Sequence, residues 1–127
     1  MRSQEEFRLQ CAIADVLTLF AKPGVHFFSI PNGENRDAVT GARLKRMGVK
    51  RGEPDLVILH NGRCIGLELK AAKGRTSPEQ KATAEAWTLA GSLYHVAKGY
   101  EEAVEFLDML GIIKPVDGRF LPRREVA

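Results

Sequence analysis

The chain has 127 residues, of which 44% are hydrophobic and 28% charged, with a formal net charge of +3 at pH 7. This length suits one compact domain and is too short for two ordinary ones. No apolar run approaches the roughly 20 residues that a membrane span needs, and the first residues lack the apolar core of a signal peptide, so we expect an intracellular protein with no membrane partner.

The first predicted element is a helix near the amino terminus. Ser3 and Glu6 have the spacing of a capping box, and apolar residues such as Leu9 and Ile13 then recur at helical spacing. Glu6 lies near the edge of the apolar stripe. Periodicity alone does not distinguish a site role for Glu6 from simple capping, and it does not distinguish Glu6 from Glu5.

A short strand and a basic segment come next. Residues 25–30 are rich in β-branched and aromatic side chains, which predicts a strand that ends at Pro31-Asn32-Gly33. Residues 37–47 are weakly helical, so we expect a short helix in a mobile, substrate-facing connection. Residues 38–52 contain five basic side chains and no acid, a pattern that fits either a solvated helix face or a surface that attracts phosphates. The candidate DNA-binding residues are Arg43, Lys45, Arg46, Lys50, Arg51 and, beyond this segment, Lys73.

A β-hairpin is the clearest local prediction. Asn61-Gly62 stands between two apolar runs, which predicts a two-residue type I′ turn in which His60 pairs with Arg63. Continued outward, this register sets Asp55 opposite Glu68. Like charges directly opposite each other are destabilising, so the pair calls for a cation.

Lys70 belongs to the same patch, because side chains alternate along a strand and Lys70 follows Glu68 by two residues. Ordinary polar contacts are the alternative for these charges. The two strands are apolar on both faces, which is typical of strands buried on both sides, so functional acids are favoured. Two carboxylates and a lysine suit phosphodiester hydrolysis assisted by a metal such as Mg²⁺.

The remaining elements are two helices and a strand. Ser77-Pro78-Glu79-Gln80 predicts a capped helix start, so Gln80 has a structural role available besides any role in a site. This helix runs to about Leu89; residues 92–97 form a strand and residues 100–110 the last helix. The expected fold is α/β, with an αβββαβ order, a mixed sheet and the fourth strand parallel to its neighbour.

Residues 1–111 form the expected single domain, and residues 112–127 form a carboxy-terminal extension of unknown conformation. The two cysteines, Cys11 and Cys64, are too few and too dispersed for a disulfide framework or a zinc site, and we expect both to be small core residues.

At this point the motifs resemble a known family. Pro54-Asp55 followed by Glu68-Leu69-Lys70 resembles the signature of the PD-(D/E)xK nuclease superfamily. The likeness to its VRR-NUC branch spans roughly residues 3–110 and rests on five elements in order: Glu6 with Gln10, Pro31-Asn32-Gly33, Gly52-Glu53-Pro54-Asp55, Glu68-Leu69-Lys70 and Pro78-Glu79-Gln80. The valine-arginine-arginine string of the family name is not evident.

The resemblance implies a restriction endonuclease-like core and a set of site residues. Asp55 and Glu68 would be ligands of Mg²⁺ or Mn²⁺, with the backbone carbonyl of Leu69 as a third ligand. Glu6 would complete the acidic cluster directly or through water. Lys70 would be the catalytic lysine, and Gln80 would lie beside it.

The function implied is that of a metal-dependent DNA endonuclease, acting as a homodimer on branched DNA such as four-way (Holliday) junctions. A single-strand or restriction-like nuclease is one alternative. A nucleic-acid-binding module whose acids bind no metal is the other.

Overall fold

Helices and strands alternate along the chain. The computed structural model describes residues 3–31 and 37–114. Its elements are α1 (Gln4–Phe20), β1 (His26–Ser29), α2 (Ala38–Arg46), β2 (Leu56–His60), β3 (Arg63–Lys70), α3 (Pro78–Leu89), β4 (Leu93–Lys98) and α4 (Tyr100–Met109). The predicted α/β class and αβββαβ order are confirmed. Asn32 and Gly33 of the predicted strand terminator lie outside the described residues.

The strands form one mixed sheet in the order β1-β2-β3-β4. β1 and β3 are each antiparallel to β2, whereas β4 is parallel to β3 because α3 carries the chain back across the sheet. Asn61 and Gly62 have φ values of +52° and +75°, as a type I′ turn requires. His60 pairs with Arg63, so the predicted hairpin register is confirmed.

The two faces of the sheet are covered differently. On one face the strands pack against α1 and α4 and form the main apolar core, which has no exposed member. The opposite face carries Gly66 and Tyr94, and α3 lies over it through Trp87. We call this opposite face the acid face, because the hairpin register also places Asp55 and Glu68 on it. The main core consists of Leu9, Ile13, Val16, Leu17, Leu56, Ile58, Ile65, Leu67, Leu69, Ala97, Ala103, Val104, Phe106, Leu107, Ile112 and Ile113.

The structure departs from expectation at the two cysteines. Cys11 is exposed and Cys64 only half-buried, so the prediction that both lie in the core was wrong. Ile112 and Ile113, at the start of the expected extension, are buried, and Ile113 bridges Ala21 at the end of α1. The rest of that extension, residues 115–127, lies outside the described part of the chain. No helix in residues 3–31 or 37–114 is both long and apolar enough to span a bilayer.

Candidate active site

Two buried carboxylates lie side by side where β2 begins and β3 ends. Leu56 pairs with Leu67 in the hairpin ladder, so Asp55 and Glu68 occupy the next opposed positions. Both side chains are 3% exposed. Asp55 Oδ2 accepts a 2.8 Å hydrogen bond from the backbone N–H of Leu69, which fixes this carboxylate against the β3 main chain next to Glu68.

Lys70 supplies positive charge to the same patch. Its Nζ lies 3.5 Å from Glu68 Oε2, and its side chain is 12% exposed. One ammonium beside two carboxylates leaves a local charge of −1. Because burial in a low-dielectric interior makes net charge costly, these three groups favour a further cation.

Gln80 contacts Glu68 from the first turn of α3. Its Oε1 accepts a 2.9 Å hydrogen bond from the backbone N–H of Ser77, and its Nε2 donates a 2.6 Å bond to Glu68 Oε2. The Ser77 hydroxyl accepts from the Gln80 N–H in return, which completes the capping box. The cap therefore sets which end of the amide faces Glu68, and the predicted capping and the contact with the site coexist.

Glu6 reaches the end of β3 from the opposite layer. The Ser3 hydroxyl accepts a hydrogen bond from the backbone N–H of Glu6, as the predicted cap requires. The Glu6 carboxylate accepts a 3.0 Å bond through Oε2 from the backbone N–H of Ala71, the residue after Lys70. Glu5 is exposed, so of the two acids considered, Glu6 is the one that contacts the site region.

Tyr94 on β4 adds a hydroxyl that the sequence did not single out. It pairs with Gly66 in the sheet and donates a 3.3 Å hydrogen bond to the carbonyl of Gly52. Burial, and then the negative charges of Glu68, Asp55 and Glu53, raise the pKa of Tyr94 well above its ordinary value. The phenol therefore stays protonated beside the acids and remains a hydrogen-bond donor.

Trp87 on α3 contacts Glu53 and Tyr94 over the acid face. Trp87 Nε1 donates a 3.0 Å hydrogen bond to Glu53 Oε1, and its ring meets that of Tyr94 edge-on at 5.9 Å. A Cβ at Gly66 would come within 2.8 Å of both Pro54 and the Trp87 ring, so only glycine admits this packing. A glycine inside an apolar strand was the available sequence signal for a close approach.

The basic side chains lie on the outside of the domain. No residue of α2 is buried, and the predicted DNA-binding residues are all exposed. The carbonyl of Arg51 accepts a hydrogen bond from Thr83 Oγ1 on α3, which ties the end of the basic segment to the helix that carries Gln80. Lys73 lies in the turn after β3.

The donor set fits a hard divalent cation that retains much of its hydration. No group of three His, Cys, Asp or Glu side chains gathers closely enough to hold a metal among residues 3–31 and 37–114. Mg²⁺, however, is commonly bound through one or two carboxylates, with water and substrate phosphate completing its shell. Asp55 and Glu68, both buried, meet that requirement.

Comparison with known proteins identifies the fold. One solved structure, described as a "VRR_NUC domain protein", has a TM-score of 0.67 and 23% identity over 86% of this chain and 89% of its own length. A second, described as "VRR_NUC domain", has a TM-score of 0.58 and 18% identity over 84% of this chain and 97% of its own. No protein-family model and no curated protein matches the sequence. The chain therefore has the fold of these VRR_NUC structures, as the sequence resemblance implied.

Proposed function

We propose that this chain is a metal-dependent DNA endonuclease of the VRR-NUC type. The observation that carries the proposal is the pair of opposed, 3% exposed carboxylates, Asp55 and Glu68, with the Lys70 ammonium 3.5 Å from one of them. Such a pair is costly in a purely structural role. The fold shared with structures described as VRR_NUC domains supports the same conclusion.

Asp55, Glu68 and the carbonyl of Leu69 would hold Mg²⁺ or Mn²⁺. When bound, the cation supplies charge that stabilises the transition state of phosphodiester hydrolysis and lowers the pKa of a water nucleophile. Lys70 lies where its ammonium can orient that water or stabilise charge on the phosphorus oxygens. The buried Leu69 N–H holds Asp55 in place, so the acid is positioned before substrate arrives.

Three further residues would support this centre. Gln80 orients Glu68 through the 2.6 Å bond to Oε2. Glu6 anchors the main chain immediately after Lys70, and it would act on the cation directly or through water. The Tyr94 hydroxyl donates to the Gly52 carbonyl, and it would help to hold in place the segment that leads into Asp55.

DNA would reach the acid face past the basic segment. Arg43, Lys45 and Arg46 on α2, Lys50 and Arg51 before β2, and Lys73 after β3 are exposed cations available to phosphates. We propose branched DNA, such as a four-way junction, as the substrate, and a homodimer as the active form. One domain of this size cuts one strand, and symmetric cleavage of a junction needs two sites related by a two-fold axis.

The proposal has two competitors. A single-strand or restriction-like nuclease would share the chemistry and differ only in the DNA geometry it accepts. A non-catalytic nucleic-acid-binding module would keep the basic surface but would bind no metal at Asp55 and Glu68.

A cleavage assay decides among them. The purified chain is incubated with labelled four-way junction, splayed-arm, single-stranded and plain duplex DNA, in Mg²⁺, Mn²⁺ or EDTA, beside an Asp55→Asn control. Metal-dependent cuts that are absent in the control establish the nuclease, and the preferred DNA identifies its substrate class. Binding without cleavage under either metal replaces the proposal with the binding module.

A further inference from the structure

A second lysine lies beside Lys70 on the neighbouring parallel strand. Lys98 is the register partner of Lys70 in the β3–β4 ladder, just as Val96 is the partner of Glu68. The ladder continues past this pair, because the backbone N–H of Gly99 donates a 3.0 Å hydrogen bond to the carbonyl of Lys70. Adjacent strands lie about 4.8 Å apart, so the two lysines are direct neighbours at the same edge of the acid face.

The two lysines differ in how their charge is balanced. The Lys70 ammonium faces Glu68 at 3.5 Å, whereas the ammonium of Lys98 forms no ion pair with any residue that the structure describes. The nearby carboxylate of Glu102 instead accepts a 2.8 Å hydrogen bond from the main-chain N–H of Lys98. The Lys98 ammonium is therefore an exposed cation available to an anion, next to the proposed reaction centre.

We propose that Lys98 binds a phosphate oxygen of the DNA strand that is cut at Asp55 and Glu68, and so positions that strand against Lys70. This inference rests on the proposed function for the identity of the anion. It assigns the two lysines different roles. Lys70 acts at the reacting phosphate, whereas Lys98 contributes to binding and acts on the chemistry only through the placement of the strand.

Salt dependence of DNA binding tests the contact directly. The full chain carrying Asp55→Asn, in EDTA, is titrated into fluorescently labelled junction DNA over a range of KCl concentrations, with and without Lys98→Gln. Loss of one phosphate contact lowers the slope of log K against log [salt] by about 0.9 on duplex arms. Lys98→Arg keeps the cation and is expected to retain the original slope.

Lys114→Gln is the matched control, because it removes the same charge from another exposed residue. The backbone N–H of Lys114 bonds to Phe20 at the carboxy-terminal end of α1. Glu6, which contacts the main chain next to Lys70, lies in the first turn of the same helix. At 1.5 Å per residue the two ends are about 20 Å apart. Lys114→Gln is therefore expected to leave the slope unchanged, and an equal change in both variants would overturn the proposal.

Kinetics separate a binding role from a catalytic one. With metal present and Asp55 intact, Lys98→Gln is expected to raise KM several-fold while kcat at saturating DNA changes less than about two-fold. A loss confined to kcat would refute the positioning role. If the unmodified chain cleaves no DNA but Lys98→Gln still lowers the salt slope, the nuclease function is rejected and the phosphate contact of Lys98 stands.

Discussion

Replacing Gln80 by Glu separates its two roles in one substitution. A glutamate at this position keeps the acceptor for the Ser77 N–H and is itself a preferred capping-box residue. It replaces the donor that faces Glu68 Oε2 at 2.6 Å with a second carboxylate oxygen. If Gln80 served only as a cap, Gln80→Glu would be neutral or slightly stabilising.

The contact with Glu68 predicts a large loss of stability instead. Two unit charges 4 Å apart repel by about 4 kcal/mol at an effective dielectric constant of 20, and the lost hydrogen bond to a charged group costs about 1.5–3 kcal/mol more. Proton uptake by the pair limits the total, since protonating an ordinary glutamate at pH 7.5 costs about 4 kcal/mol. We therefore expect Gln80→Glu to lower the free energy of unfolding by about 4 kcal/mol at pH 7.5.

The pH dependence gives this prediction a second readout. In the folded variant, Glu68 and the new carboxylate at position 80 would share one proton that the unfolded chain releases. The free energy of unfolding of the variant therefore recovers by about 1.4 kcal/mol for each unit by which the pH is lowered toward 5. Urea unfolding in EDTA at several pH values measures both effects. The double variant Glu68→Gln/Gln80→Glu restores a donor facing a carboxylate, and we expect it to regain most of the loss at pH 7.5. A Gln80→Glu variant within about 0.5 kcal/mol of the unmodified chain, a range typical of surface substitutions, would refute the Glu68–Gln80 contact.

Three other substitutions test the surroundings of the site. Asp55→Ala is expected to cost about 1–3 kcal/mol because it leaves the buried Leu69 N–H unsatisfied, whereas Asp55→Asn keeps an acceptor; equal stability of the two variants in urea would contradict this. Gly66→Ala is expected to lower the free energy of unfolding by about 1–3 kcal/mol through overpacking, and to shift the fluorescence emission of Trp87, which the added Cβ would meet at 2.8 Å. An unchanged emission spectrum and an unchanged urea midpoint would refute the close packing. Burial lowers the pKa of the His95 imidazole, so as the pH falls the unfolded chain is protonated at His95 before the folded chain is, and the free energy of unfolding should fall below about pH 6.5. His95→Phe should flatten that decline between pH 7.5 and 5.5. An identical pH profile of stability in the variant would contradict the burial of His95.

Local chemistry made the hairpin and the α3 cap predictable. The type I′ turn depends on two residues with positive φ, Asn61 and Gly62, and register follows from the turn by counting. The Ser77–Gln80 capping box likewise spans only four residues. Because Asp55 and Glu68 are opposed within this hairpin, the central acidic pair could be placed from the sequence alone.

Contacts between layers could not be predicted in this way. The bond from Glu6 to the Ala71 N–H joins residues 65 positions apart, and only the family resemblance selected Glu6 over Glu5. Trp87 and Tyr94 meet across α3 and β4, an arrangement that depends on how the helix sits on the sheet. Side-chain burial is subject to the same limit. Cys11 on α1 is exposed, and helical periodicity could not predict this because it does not show how much of a helix surface a neighbouring layer covers.

Both layers of the domain and the neighbouring strand converge at the end of β3. Glu6 from α1 binds its main chain at Ala71, Gln80 from α3 binds Glu68, and Gly99 after β4 binds the carbonyl of Lys70. Each anchor comes from a different element, so their effects on local rigidity should be separable by mutation. Because precise placement of catalytic groups governs the rate of the chemical step, these restraints on the segment from Glu68 to Ala71 would favour the proposed reaction.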